Sequence, residues 1–364
     1  MTSEILHPGT GPIRAATYLP AEPDQLFWGR LPCATDVPVL EIDPGTEVTI
    51  DTISHEGILE DQGSDPLAFF AAHKVGMEAV LADAVTLAAT RHRDPATDGP
   101  HVVTGPISVR GAKPGDLLAM TLVEALPRVP YGVISNRHGR GALPGELPRG
   151  GETVSIFSAV EGLGGGSWVD AVGTLPRASG EPVSVRYPLA PFLGIMGVAT
   201  AGDVRAHSVP PGAHGGNIDI KLLTAGSTLY LPVQVAGALA YVGDPHFAQG
   251  DGEVALTALE ASLRVTVRFD IVPASSPRAR FAAEFGPFAE TPEWLVPTGL
   301  DADLREAMKK AVRAALALLS SEYGMSEELA YAYLSAATDF DVSQVVDRVC
   351  GVHARIRKAD FGAR

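Results

Sequence analysis

Residues 255–269 read A-L-T-A-L-E-A-S-L-R-V-T-V-R-F. Thr257, Leu259, Ala261, Leu263, Val265, Val267 and Phe269 recur every second position, with Glu260, Ser262, Arg264, Thr266 and Arg268 between them. A period of two places one set on each face of a β-strand, which a helix cannot do. This segment therefore points to a sheet protein. Shorter runs of the same kind lie on both sides. On the N-terminal side, 37–53 predicts two strands of a hairpin around D-P-G-T. Residues 101–127 predict strand, turn, strand, with R-G-A-K-P-G-D as the turn, and 184–188, 194–200, 217–223 and 227–235 predict further strands. Helical spacing is confined to about 66–93, with Asp65 as N-cap, and to the C-terminal part. There 301–323 and 326–337 predict helices and 341–350 a candidate third. Residues 128–180 are rich in Gly and Pro with little periodicity and predict long loops; the stretch G-L-G-G-G-S (162–167) lacks dinucleotide-loop spacing.

The chain has 364 residues, 46% of them hydrophobic, enough for one large core or two intimate ones. Its 39 glycines and 29 prolines suit short strands joined by tight turns. A net charge of −15 argues against nucleic acid and anionic membrane surfaces as partners. Two cysteines make no disulfide framework. The N-terminus lacks a signal-peptide pattern, and no apolar run reaches the length of about 18 residues that a membrane span needs. Together these predict a cytoplasmic protein. Its organisation reads as an N-terminal extension (1–36), a β-rich catalytic region (37–300) and a C-terminal helical segment (301–364) packing on the same domain.

Immediately before the deciding strand stands V-G-D-P-H-F-A-Q-G-D-G-E-V (242–254), with Asp244, His246, Asp251 and Glu253 among glycines and a proline. A second cluster, H-G-G-N-I-D, holds His214, Asn217 and Asp219; a third, D-T-I-S-H-E, holds Asp51, His55 and Glu56. Turn chemistry accounts for Gly and Asp here, but not for the histidines and the flanking Glu253. Asp244 and His246 are two apart, as are Asn217 and Asp219, so each pair can share a face. Histidine with carboxylates and no thiolate suits zinc or a harder divalent ion. His73, His92 and His138 read as structural or surface histidines. There is no G-x-S-x-G elbow and no H-E-x-x-H motif.

Three blocks in order then resemble the acetamidase/formamidase family: H-G-G-N-I-D, G-S-T-L-Y-L-P-V-Q-V-A-G-A-L and G-D-P-H-F-A-Q-G-D-G-E-V. The earlier G-P-I-S-V-R-G-A-K-P-G-D-L-L and the later A-Y-A-Y-L-S-A-A-T-D-F-D-V-S-Q-V-V-D extend the resemblance over roughly 37–358. It implies a β-rich α+β fold of packed β-sheets with flanking helices and a helical C-terminal part. It also implies hydrolysis of a small aliphatic amide, of the formamide or acetamide type, to a carboxylate and ammonia. A divalent metal, zinc or else calcium, and a homodimer or higher homo-oligomer come with it. The residues carried over are His214, Asn217, Asp219, Asp244, His246 and Glu253, and Asp51 matches a place where the family usually has an acid. On this reading His214, Asp244 and His246 hold the metal, with Asp51 or His55 joining. Asp219 is a further ligand or orients His214, Glu253 is the general base, and Asn217 faces the oxyanion. The chain departs from the pattern at Ser54-His55-Glu56, Pro245 and Phe247, which extends the expected substrates to a larger or cyclic amide or a ureido compound. The alternatives are a small-molecule or metal-binding module without catalysis, and a hydrolase of a related amide or lactone.

Overall fold

The computed structural model describes residues 4–163, 168–177 and 184–362. The deciding strand forms as Leu263–Val272, preceded by the two-residue strand Leu259–Glu260. Leu263–Val272 lies inside a nine-stranded sheet, antiparallel to Thr46–Asp51 on one side and to Leu117–Pro127 on the other. An eleven-stranded sheet forms the second layer, with Ala240–Ala248 paired to Phe192–Val198, Val102–Val109 and Leu259–Glu260. Val265, Val267 and Phe269 from the first sheet share one apolar cluster with Phe192, Met196, Val242 and Phe247 from the second. Two packed sheets with helices at the periphery are the β-rich α+β architecture expected from the sequence.

The helix Leu304–Tyr323 starts at the capping carboxylate of Asp303 and ends at Gly324 in the left-handed region. It packs on the strand Trp294–Asp301, where Gly299 permits the approach: a Cβ there would strike the backbone of Ala307 and Ala311. Glu327–Ala337, capped by Ser326, follows. Among the described residues no helix is long and apolar enough to cross a membrane.

Several local expectations are corrected. The D-P-G-T segment does not close a hairpin. Leu40–Ile42 runs parallel to Val102–Val109 in the larger sheet, while Thr46–Asp51 joins the smaller one. The two strands of 101–127, Val102–Val109 and Leu117–Pro127, are likewise split between the sheets. A Pro-Gly turn dictates a reversal, but pairing is decided by burial. Residues 128–180, expected as loops, contain Tyr131–Asn136, Val154–Glu161 and Val172–Pro176. Within G-L-G-G-G-S, 164–167 lie outside the described residues. The strand expected at 217–223 stops at Asn217. The helical stretch 66–93 breaks into Pro66–Ala71 and Ala82–Thr90, with the Asp65 cap as expected. The candidate helix at 341–350 is a strand, Asp339–Gln344, paired to Cys350–Arg357 at the edge of the nine-stranded sheet. Its D-F-D-V-S alternation is a period of two, and that outweighs the apolar spacing that suggested a helix.

Candidate active site

Ala240–Ala248 crosses the larger sheet and carries Asp244 and His246, two apart and both buried. Next to it, Phe192–Val198 presents Gly194. A Cβ at that position would lie 2.6 Å from Asp219 Oδ1, 2.6 Å from Asp244 Oδ2 and 2.7 Å from His246 Cε1. The missing side chain is what lets three polar groups converge.

Around this point the chain gathers residues from distant segments. His246 Nε2 lies 3.2 Å from Asp244 Oδ2 and 3.1 Å from Glu260 Oε1. His55 Nδ1 lies 3.4 Å from Asp244 Oδ1, and His55 Nε2 lies 3.4 Å from Glu56 Oε1. His101 Nε2 is 3.8 Å from Asp244 Oδ2, and its ring meets that of His55 edge to face at 5.1 Å. Three sets of ligand atoms each lie within 4.8 Å of one another: His55, His101 and Asp244; Asp244, His246 and Glu260; and Asp219, His246 and Glu253. Six buried atoms at this place have no hydrogen-bond partner: His55 Nδ1, Asp219 Oδ1, Asp244 Oδ1, His246 Nε2, Glu253 Oε2 and Glu260 Oε2. Leaving buried polar atoms unpaired is costly, so their convergence marks a site built for a ligand. The donors are imidazole and carboxylate, and they fit a divalent cation.

The backbone agrees. Ten described non-glycine residues adopt positive φ, and four are acids of this neighbourhood: Asp219 (46°), Asp244 (50°), Glu253 (46°) and Asp347 (63°). Such conformations are unfavourable for side-chain-bearing residues and persist where the surroundings impose them.

Charge is concentrated here. Burial, then the neighbouring acids, push the carboxyls of Asp219 and Glu253 well above the usual range. Burial also raises Glu260, and with Asp244 nearby it lifts Asp347 to about 7. Burial opposes the charge on Asp244, but His101 and His246 outweigh it and hold this carboxyl low. Burial likewise disfavours charged His55, yet Asp244 and Glu56 lift it to about 10, while burial takes His101 down to about 4. The acids outnumber the cations, so the site calls for positive charge.

The supporting residues are polar and directed. Gln249 Nε2 donates to the carbonyls of Asp219 (2.9 Å) and Ser343 (3.1 Å). Both are acceptors only, so the amide oxygen must face the His246 ring, 3.2 Å from Nδ1. That places a proton on Nδ1 and turns Nε2 toward the acids; burial opposes the charge on this ring, but Glu260 and Asp244 outweigh it and hold its pKa well above the usual range. Gln344 donates to Asp219 Oδ2 (2.9 Å) and Asp347 Oδ2 (3.1 Å), and Asn217 Nδ2 donates to Asp347 Oδ2 (3.0 Å).

Of the residues expected from sequence, the fold brings together His55, Asp219, Asp244, His246 and Glu253, with Asn217 on Asp347 beside them. Two expected ligands are placed elsewhere. Asp51 belongs to none of the three sets. It sits opposite Arg264 in the neighbouring strand, pairs with it at 2.6 Å, and accepts from Tyr18 at 2.6 Å. His214 also stands apart from them. Gly215 and Gly216, both at positive φ, turn the chain between it and Asn217, so the ring packs back on Gly212 and Gly216. His101, Glu260, Asp347, Gln249 and Gln344 are additions that spacing in the sequence does not single out. His73 stacks on Phe157 at 4.9 Å, a structural role.

The chain is similar to known proteins. Residues 199–356 match the model of the acetamidase/formamidase family. The chain is 30% identical to the formamidase of Methylophilus methylotrophus over 192 residues, 42% of this chain and 47% of that protein. It is 28% identical to the acetamidase of Mycolicibacterium smegmatis over 297 residues, 65% and 73% of the two chains. The chain spans about half the length of the first curated relatives it matches. A crystal structure of an acetamidase from Bacillus halodurans superposes with a TM-score of 0.71 over 95% of this chain and 100% of that one, at 24% identity, a likeness of fold.

Proposed function

We propose that this chain, which belongs to the acetamidase/formamidase family, is an amidohydrolase that cleaves a small aliphatic amide to a carboxylate and ammonia. The observation that carries the reading is the clustering of six unpaired buried atoms from His55, Asp219, Asp244, His246, Glu253 and Glu260, three of these residues meeting at the space left by Gly194. A binding module has no need of a proton carrier at such a place, and Glu253 is one.

Asp219, Asp244, His246 and Glu260 would hold a divalent ion, with His55 beside Asp244. When bound, zinc, or calcium on these oxygens, supplies a Lewis acid for the amide carbonyl and lowers the pKa of water. The chain's own residues do the rest. Glu253 takes the proton of the attacking water and delivers it to the departing nitrogen, so that ammonia rather than an amide anion leaves. A carboxyl raised by burial and by Asp219 suits that exchange. Asn217 holds Asp347 with one N–H and offers the other to the oxyanion. Gln249 keeps His246 in the tautomer that directs Nε2 inward. A cytoplasmic homo-oligomer completes the proposal.

The test is ammonia release from formamide, acetamide and a γ-lactam, the lactam because one fold neighbour is a γ-lactamase from Delftia acidovorans. Release from the linear amides that stops on chelation and returns with one divalent ion is expected. Release indifferent to chelation points to carboxylates alone. A protein that binds amides and releases no ammonia is a binding module.

A further inference from the structure

Two carboxylates of the site each face two histidines. Asp244 Oδ2 lies 3.2 Å from His246 Nε2, while its Oδ1 lies 3.4 Å from His55 Nδ1. Glu260 repeats the pattern, with Oε1 at 3.1 Å from His246 Nε2 and Oε2 at 4.0 Å from His55 Nδ1. On the His55 side, His55 Nδ1, Asp244 Oδ1 and Glu260 Oε2 are buried and have no hydrogen-bond partner. His101 adds its Nε2, 3.8 Å from Asp244 Oδ2, and the ligand atoms of His55, His101 and Asp244 lie within 4.8 Å of one another.

Both rings are held from behind. Ser208 Oγ lies 3.0 Å from His101 Nδ1, which turns Nε2 to the acids. Glu56 Oε1 lies 3.4 Å from His55 Nε2 and is itself held by Arg137 at 3.0 Å, which turns Nδ1 to Asp244. A histidine fixed through one nitrogen, with the other facing carboxylates, is oriented as a metal ligand is.

One ion cannot use all these groups. Zinc takes about four ligands, and Asp219, Asp244, His246 and Glu260 already supply that number. Calcium takes more, but from oxygen, and leaves the imidazoles idle. His55 and His101 remain, both buried. The charge balance agrees: Asp219, Asp244, Glu253 and Glu260 bring four carboxyls to the ligand sets, the charge of two divalent ions rather than one.

We infer that the site holds two divalent ions: the one assigned above, and a second at His55, His101 and Asp244, with Asp244 and Glu260 shared between them. The inference rests on the metal in the proposed function and deepens it. Two imidazoles and carboxylate oxygen suit zinc at the second position. His55 belongs to the stretch where the chain departs from the family pattern, so this set is read from this chain's own residues.

The experiment titrates chelator-treated protein with zinc in a calorimeter and counts bound zinc by elemental analysis after gel filtration. The wild type is expected to bind two equivalents per chain. His55→Ala and His101→Ala, each with an unchanged circular dichroism spectrum, are expected to bind one. Manganese reports on the sharing: the EPR spectrum of the wild type at two equivalents is expected to show spin-coupled ions, and that of saturated His101→Ala an isolated one. A wild type that saturates at one equivalent or at none overturns the inference, whether or not a variant folds. So do a folded His101→Ala that still holds two, and two manganese ions without coupling. None of these readouts depends on turnover. Two coupled ions in a protein that releases no ammonia keep the inference and remove the hydrolase reading; ammonia release by a one-ion protein does the reverse.

Discussion

Glu253 and Gly194 test the chemistry at the scale of single residues. Glu253→Gln keeps the size of the side chain and removes its ability to take a proton. Turnover is expected to drop about 100-fold or more, with the circular dichroism spectrum unchanged. A variant that turns over like the wild type takes Glu253 out of the mechanism. Gly194→Ala acts through space instead of charge, because its Cβ would occupy the point shared by Asp219, Asp244 and His246. It is expected to abolish ammonia release while the protein stays folded, and retained activity would mean the reacting atoms meet elsewhere. Glycine breakers beside Asp, His and Glu made His55, Asp219, Asp244, His246 and Glu253 legible in the sequence. Glu260 was hidden, since in the alternating strand it falls on the polar set with Ser262, Arg264 and Thr266. That set is buried all the same, with Glu260 at 2% and Arg264 at 1% exposure. The N-terminal segment covers Arg264, whose guanidinium donates to the carbonyls of His7, Thr10 and Pro12, while Glu260 is buried against His246 and His55. No pattern in the strand announces partners that come from distant segments of the chain.

At the scale of the element, the pair Asp51–Arg264 joins Thr46–Asp51 to Leu263–Val272 and pins residues 7–12 over both. Both side chains are buried, and Arg128 also lies 3.6 Å from Asp51. Removing one partner of a buried pair leaves an uncompensated charge, at about 3–5 kcal/mol. Asp51→Ala is therefore expected to lose that much stability in urea unfolding and to expose the N-terminal segment to proteolysis before the rest. A loss below about 1 kcal/mol would assign the clamp to other contacts. The sequence marks Asp51 as an acid of the family pattern, but its role follows from the strand opposite, a tertiary fact. The same holds for the two Pro-Gly turns that switch sheets. Alternation identified the strands, and only packing could choose their partners. The edge strand Asp339–Gln344 shows the reverse case: its short period of two was present in the residues, and Gln344 at its end reaches both Asp219 and Asp347.

For the whole molecule, the site is an assembly of residues 55, 101, 219, 244, 246, 253 and 260 drawn from both ends of the β-rich region. The unfolded chain holds no such arrangement, so a divalent ion that binds here binds the folded state alone. At a free concentration 100-fold above its Kd it would add about 2.7 kcal/mol. Chelator-treated protein is expected to gain a few degrees in Tm on addition of zinc or calcium. The charge balance adds a second sign to the same experiment. Without an ion, the buried acids repel one another, and Glu253→Gln removes one of the repelling groups. That variant is expected to melt higher than the wild type in chelator, and to gain less from the ion because one carboxylate charge facing it is gone. A wild type whose Tm ignores every divalent ion, with Glu253→Gln still raised in chelator, would mean that protons alone balance these acids and that the carboxylates work without a metal.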